Sequence, residues 1–327
     1  MSIPDAELPY PTDRYGLIHR AAALASGFTD RDLRSAVKSG RLERVTKGTY
    51  LAPAQPDRRD AAAVAENALA QFRLRSIAVA TLPSHAGATV LSHASAAVLH
   101  GLPMLKPALT RVHLTNGELG GGRVRQKTLV HTGELPAGDI DDIDGVAVTG
   151  LARTAADVAQ SSPPDDALAF ARALTVFDAA LRAGVEKEAL EFQLAGRRRR
   201  GTRVAKAALQ WADKDAESVG ESWGRAQMIQ AGLPVPSLQS ECRVGRRTYR
   251  VDGLWADRLV WEFDGHVKYG RYRRPGESAA DAVWREKQRE DALRGIGLMV
   301  VRSVWSDLEQ RRLVPKLAHW LDHFDIR

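Results

Sequence analysis

Two consecutive strand-like runs near the carboxyl end constrain the fold of this chain more than any other sequence feature. They cover residues 248–255 and 259–264, and both are rich in bulky apolar side chains. The short turn between them is centred on Asp257, a residue type that favours turns. The sequence therefore predicts an antiparallel hairpin in which Trp255 pairs with Leu259.

Three acidic side chains are expected on one face of this hairpin. The register places Asp252 directly opposite Glu262, and Asp264 follows on the same face because side chains alternate along a strand. The other face, which we expect to be the core side, carries Val251, Trp255, Leu259, Trp261 and Phe263. Directly opposed residues have Cβ atoms about 4.5–5.5 Å apart, and carboxylates that close repel unless a cation lies between them. The pattern predicts a metal site formed by Asp252, Glu262 and Asp264.

A second interpretation of the acidic pair stays open at this point. Asp252 and Glu262 would then be solvated strand carboxylates that pair with the arginine side chains of Arg250, Arg258 or Arg289. Exposed ion pairs of this kind are common and contribute little to stability. The residue types alone do not separate this interpretation from a metal site.

The composition indicates a globular protein of several domains without disulfides. The 327 residues correspond to about two or three domains, and all seven tryptophans follow residue 210. The single cysteine, Cys242, excludes a disulfide framework. We find no signal peptide and no membrane span, so a cytoplasmic protein is expected. The net charge of +7 permits a polyanionic partner but does not require one.

Residues 13–52 have the element order of a winged helix-turn-helix. A first helix and a glycine turn precede a basic helix at 30–38, with Thr29 as its N-cap, and a hairpin follows at 42–51. In that fold the second helix enters the major groove and the hairpin contacts the DNA backbone. The basic residues expected at DNA are Arg31, Arg34, Lys38, Arg44 and Lys47. Generic helix pairs share much of this pattern, so an ordinary helix pair is the alternative.

The region from about 60 to 215 predicts a mixture of strands and helices. Strands are expected at 112–115, 128–131 and 146–149. His93 and His100 lie on a predicted helix, but neither has an Asp, Glu or Cys at ligand spacing. We interpret both as core or capping histidines and not as metal ligands.

From about residue 216 the predicted order is a helix, three strands, a crossover helix, a fourth strand and a last helix. The crossover helix is expected at 282–294 and the fourth strand at 298–302. Such an order makes an α/β sheet core with helices on both sides.

This carboxyl-terminal segment resembles the PD-(D/E)XK nuclease fold, in its very-short-patch-repair-like endonuclease branch. The residues that fall on the pattern of that branch are Glu221, Asp252, Glu262, Asp264, Gly265, Arg289, Leu293, Gly297, Val300 and Arg302. The resemblance covers about the last hundred residues. It implies a DNA endonuclease that uses Mg²⁺ or Mn²⁺, with Asp252, Glu262 and Asp264 as ligands and with Glu221 as a further catalytic carboxylate.

The chain departs from this pattern at two positions. Lys268 occupies the histidine position of the family, with His266 adjacent, and Glu286 is the acidic residue before Arg289. We treat Lys268 as the displaced catalytic lysine of the fold and His266 as its neighbour in the expected catalytic set. On the crossover helix, Lys287 and Arg289 are expected to hold backbone phosphates.

The amino-terminal segment also resembles a known family. Residues 14–52 are similar to the winged-helix domain of AbiEi-type antitoxins of type IV toxin–antitoxin systems. The residues around Ser92-His93 and 149–157 resemble the region on the carboxyl-terminal side of that domain in such antitoxins. This resemblance implies sequence-selective binding of double-stranded DNA, autoregulation of an operon and a cognate toxin as a partner.

The expected fold is therefore an α+β multidomain chain. It has a winged helix-turn-helix at 1–55, an antitoxin-like α+β middle region at 56–215 and a restriction-endonuclease-like α/β sheet core at 216–327. Two functions are compatible with it. One is a metal-dependent endonuclease guided by a winged helix; the other is an antitoxin-like transcriptional regulator with a catalytically inactive nuclease fold.

Overall fold

The protein is a mixed α/β chain that divides into two compact units. A computed structural model describes residues 10–53, 60–82, 84–85, 87–195, 199–265 and 278–327. The first unit contains residues 1–101 and 107–154, and the second contains 102–106 and 155–327. The sequence-based boundaries near 55 and 215 lie inside these units, so the three-part organisation stays a prediction.

The first unit begins with two short helices and a small sheet. Its elements are β1 (Ile18–His19), α1 (Arg20–Ala25), α2 (Asp30–Lys38), β2 (Glu43–Thr46) and β3 (Thr49–Leu51). The three strands are antiparallel in the order β1-β3-β2. Leu33 and Ala36 of α2 are buried in a core with Ile18 and Tyr50. The apolar side of the basic helix thus holds α2 against the strands.

A six-stranded sheet forms the rest of the first unit. Its elements are α3 (Ala61–Ala80), β4 (Val90–Leu91), α4 (His93–His100), β5 (Val112–Thr115), β6 (Arg123–Val124), β7 (Thr128–His131), a 3-10 turn (Ala137–Asp139), β8 (Ile140–Ile143) and β9 (Val146–Thr149). The strand order is β6-β7-β5-β4-β9-β8. The predicted strands β5, β7 and β9 are confirmed. Phe72 and Ile77 of α3 pack with Leu91, Leu114 and Val148 in the core of this sheet.

Helices make up the amino-terminal part of the second unit. They are α5 (Leu151–Ala159), which begins just before the unit boundary, α6 (Ala169–Arg182), α7 (Lys187–Ala195), α8 (Thr202–Gln210) and α9 (Val219–Gln230). A buried ion pair joins α6 to α9, since Asp178 accepts hydrogen bonds from the Ser222 hydroxyl at 2.7 Å and from Arg225 at 2.8 Å. Both charges are compensated inside the helical layer, which is the condition for burying them.

A four-stranded sheet forms the carboxyl-terminal part of the second unit. Its elements are β10 (Ser237–Val244), β11 (Arg247–Trp255), β12 (Leu259–Phe263), α10 (Ala279–Gly295), β13 (Met299–Ser303), α11 (Trp305–Glu309) and α12 (Leu313–His323). The order is β10-β11-β12-β13, with the first three strands antiparallel and β13 parallel to β12. Such a parallel connection needs a crossover, which α10 provides.

Helix α9 lies very close to this sheet. A Cβ atom at Gly220 would overlap the ring of Phe263, and one at Gly224 would overlap the indole of Trp261. Both aromatic side chains are buried. The helix approaches so closely only because glycine occupies both positions. Among the described residues, none of the helices combines the length and apolar content that crossing a membrane requires.

Candidate functional site

A stripe of basic side chains runs along the exposed face of α2. Arg31, Arg34 and Lys38 are all exposed, whereas Leu33 and Ala36 face the core. Positions three and four residues apart are neighbours on a helix surface, so the three cations share one face. None of them forms a salt bridge within the part of the chain that the structure describes. The stripe therefore offers three cationic groups to an external anion.

Local hydrogen bonds fix where α2 begins. Thr29 is the N-cap, as predicted: its hydroxyl accepts from the Asp32 amide, while its own amide donates to the Asp32 carboxylate at 2.8 Å. Arg20 of α1 donates to both oxygens of Asp30 at 2.6 and 2.7 Å. The hydrogen bond from Arg20 holds the pKa of Asp30 below its usual value, so this carboxylate stays ionised. The positive charge of Arg20 compensates its negative charge. The acidic first turn is thus engaged within the protein.

The hairpin β2–β3 carries further exposed cations. Arg44 and Lys47 are exposed, and Gly48 provides the positive φ of +81° that the turn requires. Lys127, which is also exposed, donates from Nζ to the carbonyl oxygen of Arg44 at 3.0 Å. Sequence reasoning did not select Lys127, because it lies 83 residues from Arg44 and no local pattern joins the two. It adds a cation to the same basic surface.

The carboxyl-terminal hairpin has the predicted register. Trp255 pairs with Leu259, and Gly253 pairs with Trp261. The next positions are those of Asp252 and Glu262, where the ladder ends and the Phe263 amide donates to Asp252 Oδ2 at 2.7 Å. Asp252 therefore replaces a backbone acceptor at the end of the strand pair, and one of its oxygens is engaged.

Glu262 is buried beneath α10. Its side chain is 6% exposed, and Arg289 of α10 donates to both of its oxygens, at 2.7 and 2.8 Å. The interpretation of Glu262 as a solvated strand carboxylate paired with an arginine is thus confirmed in its partner, Arg289, but wrong in the solvation, because the side chain is buried. A two-point guanidinium–carboxylate contact of this type is among the strongest hydrogen-bonded pairs in proteins.

Arg289 is held by more than Glu262. It also donates to the Arg250 carbonyl oxygen at 2.7 Å and to Glu286 at 3.1 Å. Burial works to lower the pKa of Arg289, but its hydrogen bonds and charge interaction with Glu262 raise that pKa well above the ordinary value. Contact with DNA phosphates stays a prediction for Arg289.

An ion-pair network continues from Glu286 towards β13. Arg302 donates to Glu286 at 2.5 Å and to Glu290 at 3.0 Å. The spacing of Glu286, Arg289 and Glu290 on one helix was readable from the sequence, but their pairing with a strand was not. The network covers the side of the sheet on which a metal was expected.

The other residues of the predicted acidic site lie at separate places. Glu221 is buried at the start of α9, where its Oε2 accepts from the Glu217 amide at 2.9 Å and from Gln239 at 3.1 Å. Asp264 is half-buried, and its amide donates to the Ser303 carbonyl oxygen. Lys287 is exposed, with Nζ 5.9 Å from the centre of the Trp284 ring.

Within the described residues, Asp252, Glu262 and Asp264 do not bring three ligand atoms within 4.8 Å of one another. Lys268 and His266 lie outside the described residues. The described carboxylates therefore do not form a three-ligand cluster, and the metal site stays a prediction. His100, by contrast, has a clear structural part, since its Nε2 donates to the Thr149 carbonyl oxygen at 2.8 Å.

Comparisons with known proteins identify the class of the amino-terminal segment and the family of the chain. Residues 13–53 match the family described as "Transcriptional regulator, AbiEi antitoxin". Over 300 residues the chain is 32% identical to the uncharacterized proteins MT2308 and Rv2248 of Mycobacterium tuberculosis, covering 90% of this chain and 97% of each relative. The chain therefore belongs to the family of these mycobacterial proteins.

The crystal structure of the RV2827C protein from Mycobacterium tuberculosis also matches in part. The match has a TM-score of 0.38 and 18% sequence identity, and it covers 71% of this chain and 83% of that protein.

Proposed function

We propose that the protein is a DNA-binding transcriptional regulator of the AbiEi antitoxin class, in which residues 13–53 act as a winged helix. The observation that carries this proposal is the exposed stripe of Arg31, Arg34 and Lys38 on α2, inside the segment that matches the antitoxin family. Helix α2 comes after a short turn that ends α1 and precedes the basic hairpin. In winged helix-turn-helix proteins a helix in this place reads the major groove.

The number of cations on this surface determines how strongly DNA binding should depend on salt concentration. Each phosphate that a protein neutralises lowers the slope of log K against log salt concentration by about 0.9. The exposed cations that we assign to DNA are Arg31, Arg34, Lys38, Arg44 and Lys47. One phosphate contact for each would give a slope of about −4.5 for one protein molecule.

The proposal is tested by footprinting the full-length protein on the DNA upstream of its own gene. We expect a protected site that is lost when Arg31→Ala and Arg34→Ala are combined, and a salt slope that becomes about 1.8 less steep. The matched control combines Arg246→Ala and Arg247→Ala, which remove two exposed arginines, one in the turn after β10 and one at the start of β11. A footprint that survives the α2 substitutions, or no footprint with the unaltered protein, would contradict the proposal.

The same class implies a cognate toxin as a partner. If the protein acts as an antitoxin, expression of the product of the neighbouring gene should arrest growth, and coexpression of this chain should restore it. A neighbouring product that is harmless when expressed alone would leave the protein as a DNA-binding regulator without a toxin.

A metal-dependent DNA endonuclease is the second candidate function. It is supported by the order of elements from α9 through β10, β11, β12 and the crossover α10 to β13, which is the order expected for a restriction-endonuclease-like core. The same topology brings Asp252 and Glu262 to neighbouring strand positions. Against it stands the engagement of both Glu262 oxygens by Arg289, because a cation must compete with that guanidinium. The geometry favours the regulator, with the second unit as a platform for DNA or a partner.

Cleavage assays with Mg²⁺ or Mn²⁺ distinguish the two candidates. The substrates should include duplex, mismatched and single-stranded DNA. The endonuclease candidate predicts cleavage that Glu262→Ala abolishes while duplex binding is retained. It predicts the same for the remaining members of its proposed catalytic set, namely Asp252, Glu221, Lys268 and His266. Absence of metal-dependent cleavage on all three substrates would exclude it.

A further inference from the structure

Three histidines from three different elements meet in the first unit. His93 is the first residue of α4, His113 lies on β5, and His131 is the last residue of β7. One ring nitrogen from each lies within 4.8 Å of the others. Among the His, Cys, Asp and Glu side chains of the described residues, no other group of three meets this condition. The cluster is therefore a place where three potential metal ligands converge.

The sheet explains how the two strand histidines come together. In the parallel pair β5–β7, His113 is in register with Leu129 and Thr115 with His131. His113 and His131 are thus two positions apart in register, so their side chains share one face of the sheet. The His113 Nδ1 lies 2.9 Å from His131 Nε2.

His93, which the sequence alone led us to interpret as a core or capping histidine, completes the cluster from the helix side. Its ring stacks on that of His131, with centroids 3.7 Å apart and planes inclined by 13°. His93 is nearly fully buried and has a φ of +51°, in the left-handed region that a non-glycine residue rarely adopts. Backbone strain of this kind persists where the surroundings impose it, and it concentrates at functional sites.

Hydroxyl groups around the cluster orient the rings. Ser92 Oγ lies 2.9 Å from His93 Nδ1 and accepts a hydrogen bond from the Thr115 hydroxyl at 2.8 Å. When His93 Nδ1–H donates to Ser92, the lone pair of the ring is on Nε2, which is the arrangement that a metal-bound histidine adopts. The His113 amide also donates to Ser95 Oγ at 2.9 Å, which ties α4 to β5 next to the cluster.

We propose that His93, His113 and His131 bind one first-row transition-metal ion, with Zn²⁺ as the natural occupant and water as the fourth ligand. Three imidazoles suit zinc and its neighbours, whereas Mg²⁺ and Ca²⁺ require oxygen ligands. Tetrahedral Zn–N bonds of about 2.0–2.1 Å place ligand nitrogens about 3.3 Å apart, so the 2.9 Å contact between His113 and His131 has to widen by a few tenths of an ångström. The His93 ring also has to turn out of its parallel stack on His131, because the nitrogen lone pairs lie in the ring planes.

The alternative is a hydrogen-bonded histidine cluster that binds no metal. Metal titration of the full-length protein, freed of metal with a chelator, separates the two. We expect one equivalent of Zn²⁺ by calorimetry, and with Co²⁺ the visible absorption of a tetrahedral or five-coordinate site. X-ray absorption of the zinc-loaded, unaltered protein should show three imidazole nitrogens at about 2.0–2.1 Å. This last measurement needs no variant and so does not depend on how a variant folds.

The Zn²⁺ affinities of two variants then show which histidines bind the ion. His131→Gln should weaken Zn²⁺ binding more than about 100-fold, because loss of a partner that only orients a ligand already costs about 10–100-fold. The matched control is His319→Gln, since His319 and His323 are exposed one helical turn apart on α12 and offer an alternative pair of ligands. Stoichiometric binding that His319→Gln abolishes and His131→Gln leaves intact would overturn the proposal. So would failure of the metal-free protein to bind Zn²⁺, or absorption data without three imidazole nitrogens.

Discussion

Replacing Arg289 by methionine should destabilise the second unit by about 3 kcal/mol. The substitution keeps much of the side-chain bulk but leaves Glu262, whose side chain is 6% exposed, without the guanidinium that engages both of its oxygens. Removing one partner of a buried ion pair costs about 3–5 kcal/mol. We use the lower end of that range because 20% of the Arg289 side chain is exposed and water screens part of the interaction.

A double-mutant cycle isolates the contribution of the pair. Glu262→Gln keeps the shape of the side chain and removes its charge, so the double variant with Arg289→Met contains no isolated buried charge. We expect the double variant to be more stable than the sum of the single effects implies, with a coupling energy of about 2 kcal/mol. Part of the stability loss caused by Arg289→Met does not depend on Glu262, because Arg289 also donates to Glu286 and to the Arg250 carbonyl oxygen.

Urea unfolding followed by tryptophan fluorescence is the appropriate assay. All seven tryptophans lie between residues 211 and 320, so the signal reports the second unit. Arg294→Met is the control: Arg294 pairs with Glu290 on the surface of the same helix, and its loss should cost at most about 0.5 kcal/mol. A loss of less than about 0.5 kcal/mol for Arg289→Met, or additive effects in the cycle, would refute the conclusion that Glu262 depends on Arg289.

Two further substitutions test the packing of the second unit with the same assay. Gly224→Ala should lower the free energy of unfolding by about 1–3 kcal/mol, because the new Cβ atom overlaps Trp261. Gly295→Ala is the control and should be neutral or stabilising, because the space around Gly295 is open. Equal effects of the two substitutions would contradict the close approach of α9 to the sheet. Asp178→Asn should lower the free energy of unfolding by about 3 kcal/mol, because Arg225 is then buried without a counter-charge. A decrease of less than about 1 kcal/mol would show that the ion pair is dispensable for stability.

The sequence was sufficient for the features that depend on local patterns. The register of the hairpin is determined by the alternation of residues around Asp257, and the pairing of Trp255 with Leu259 agrees with it. The N-cap at Thr29 reflects the preference of short polar side chains for that position. In both cases the signal lies within a few residues along the chain.

The contacts that decide the chemistry are non-local, and the sequence did not show them. Glu262 and Arg289 are 27 residues apart, and the helix between the last two sheet strands has charged residues at eight of its seventeen positions, with no apolar face that would predict which side of the sheet it covers. The histidines of the proposed zinc site come from three elements whose neighbourhood depends on the strand order. A histidine on each of two predicted strands was visible, but only the parallel pairing of β5 and β7 brings His113 and His131 together.

The glycines at which α9 meets the sheet also constrain how this family can diverge. Glu221 lies between Gly220 and Gly224 in the sequence, so the height of the helix above Phe263 and Trp261 fixes where that carboxylate lies and whether it reaches Gln239. A relative with a larger residue at either glycine must carry a smaller ring at the facing strand position, or its helix moves outward and takes the carboxylate with it. We therefore expect substitutions at these four positions to be coupled among relatives of this chain.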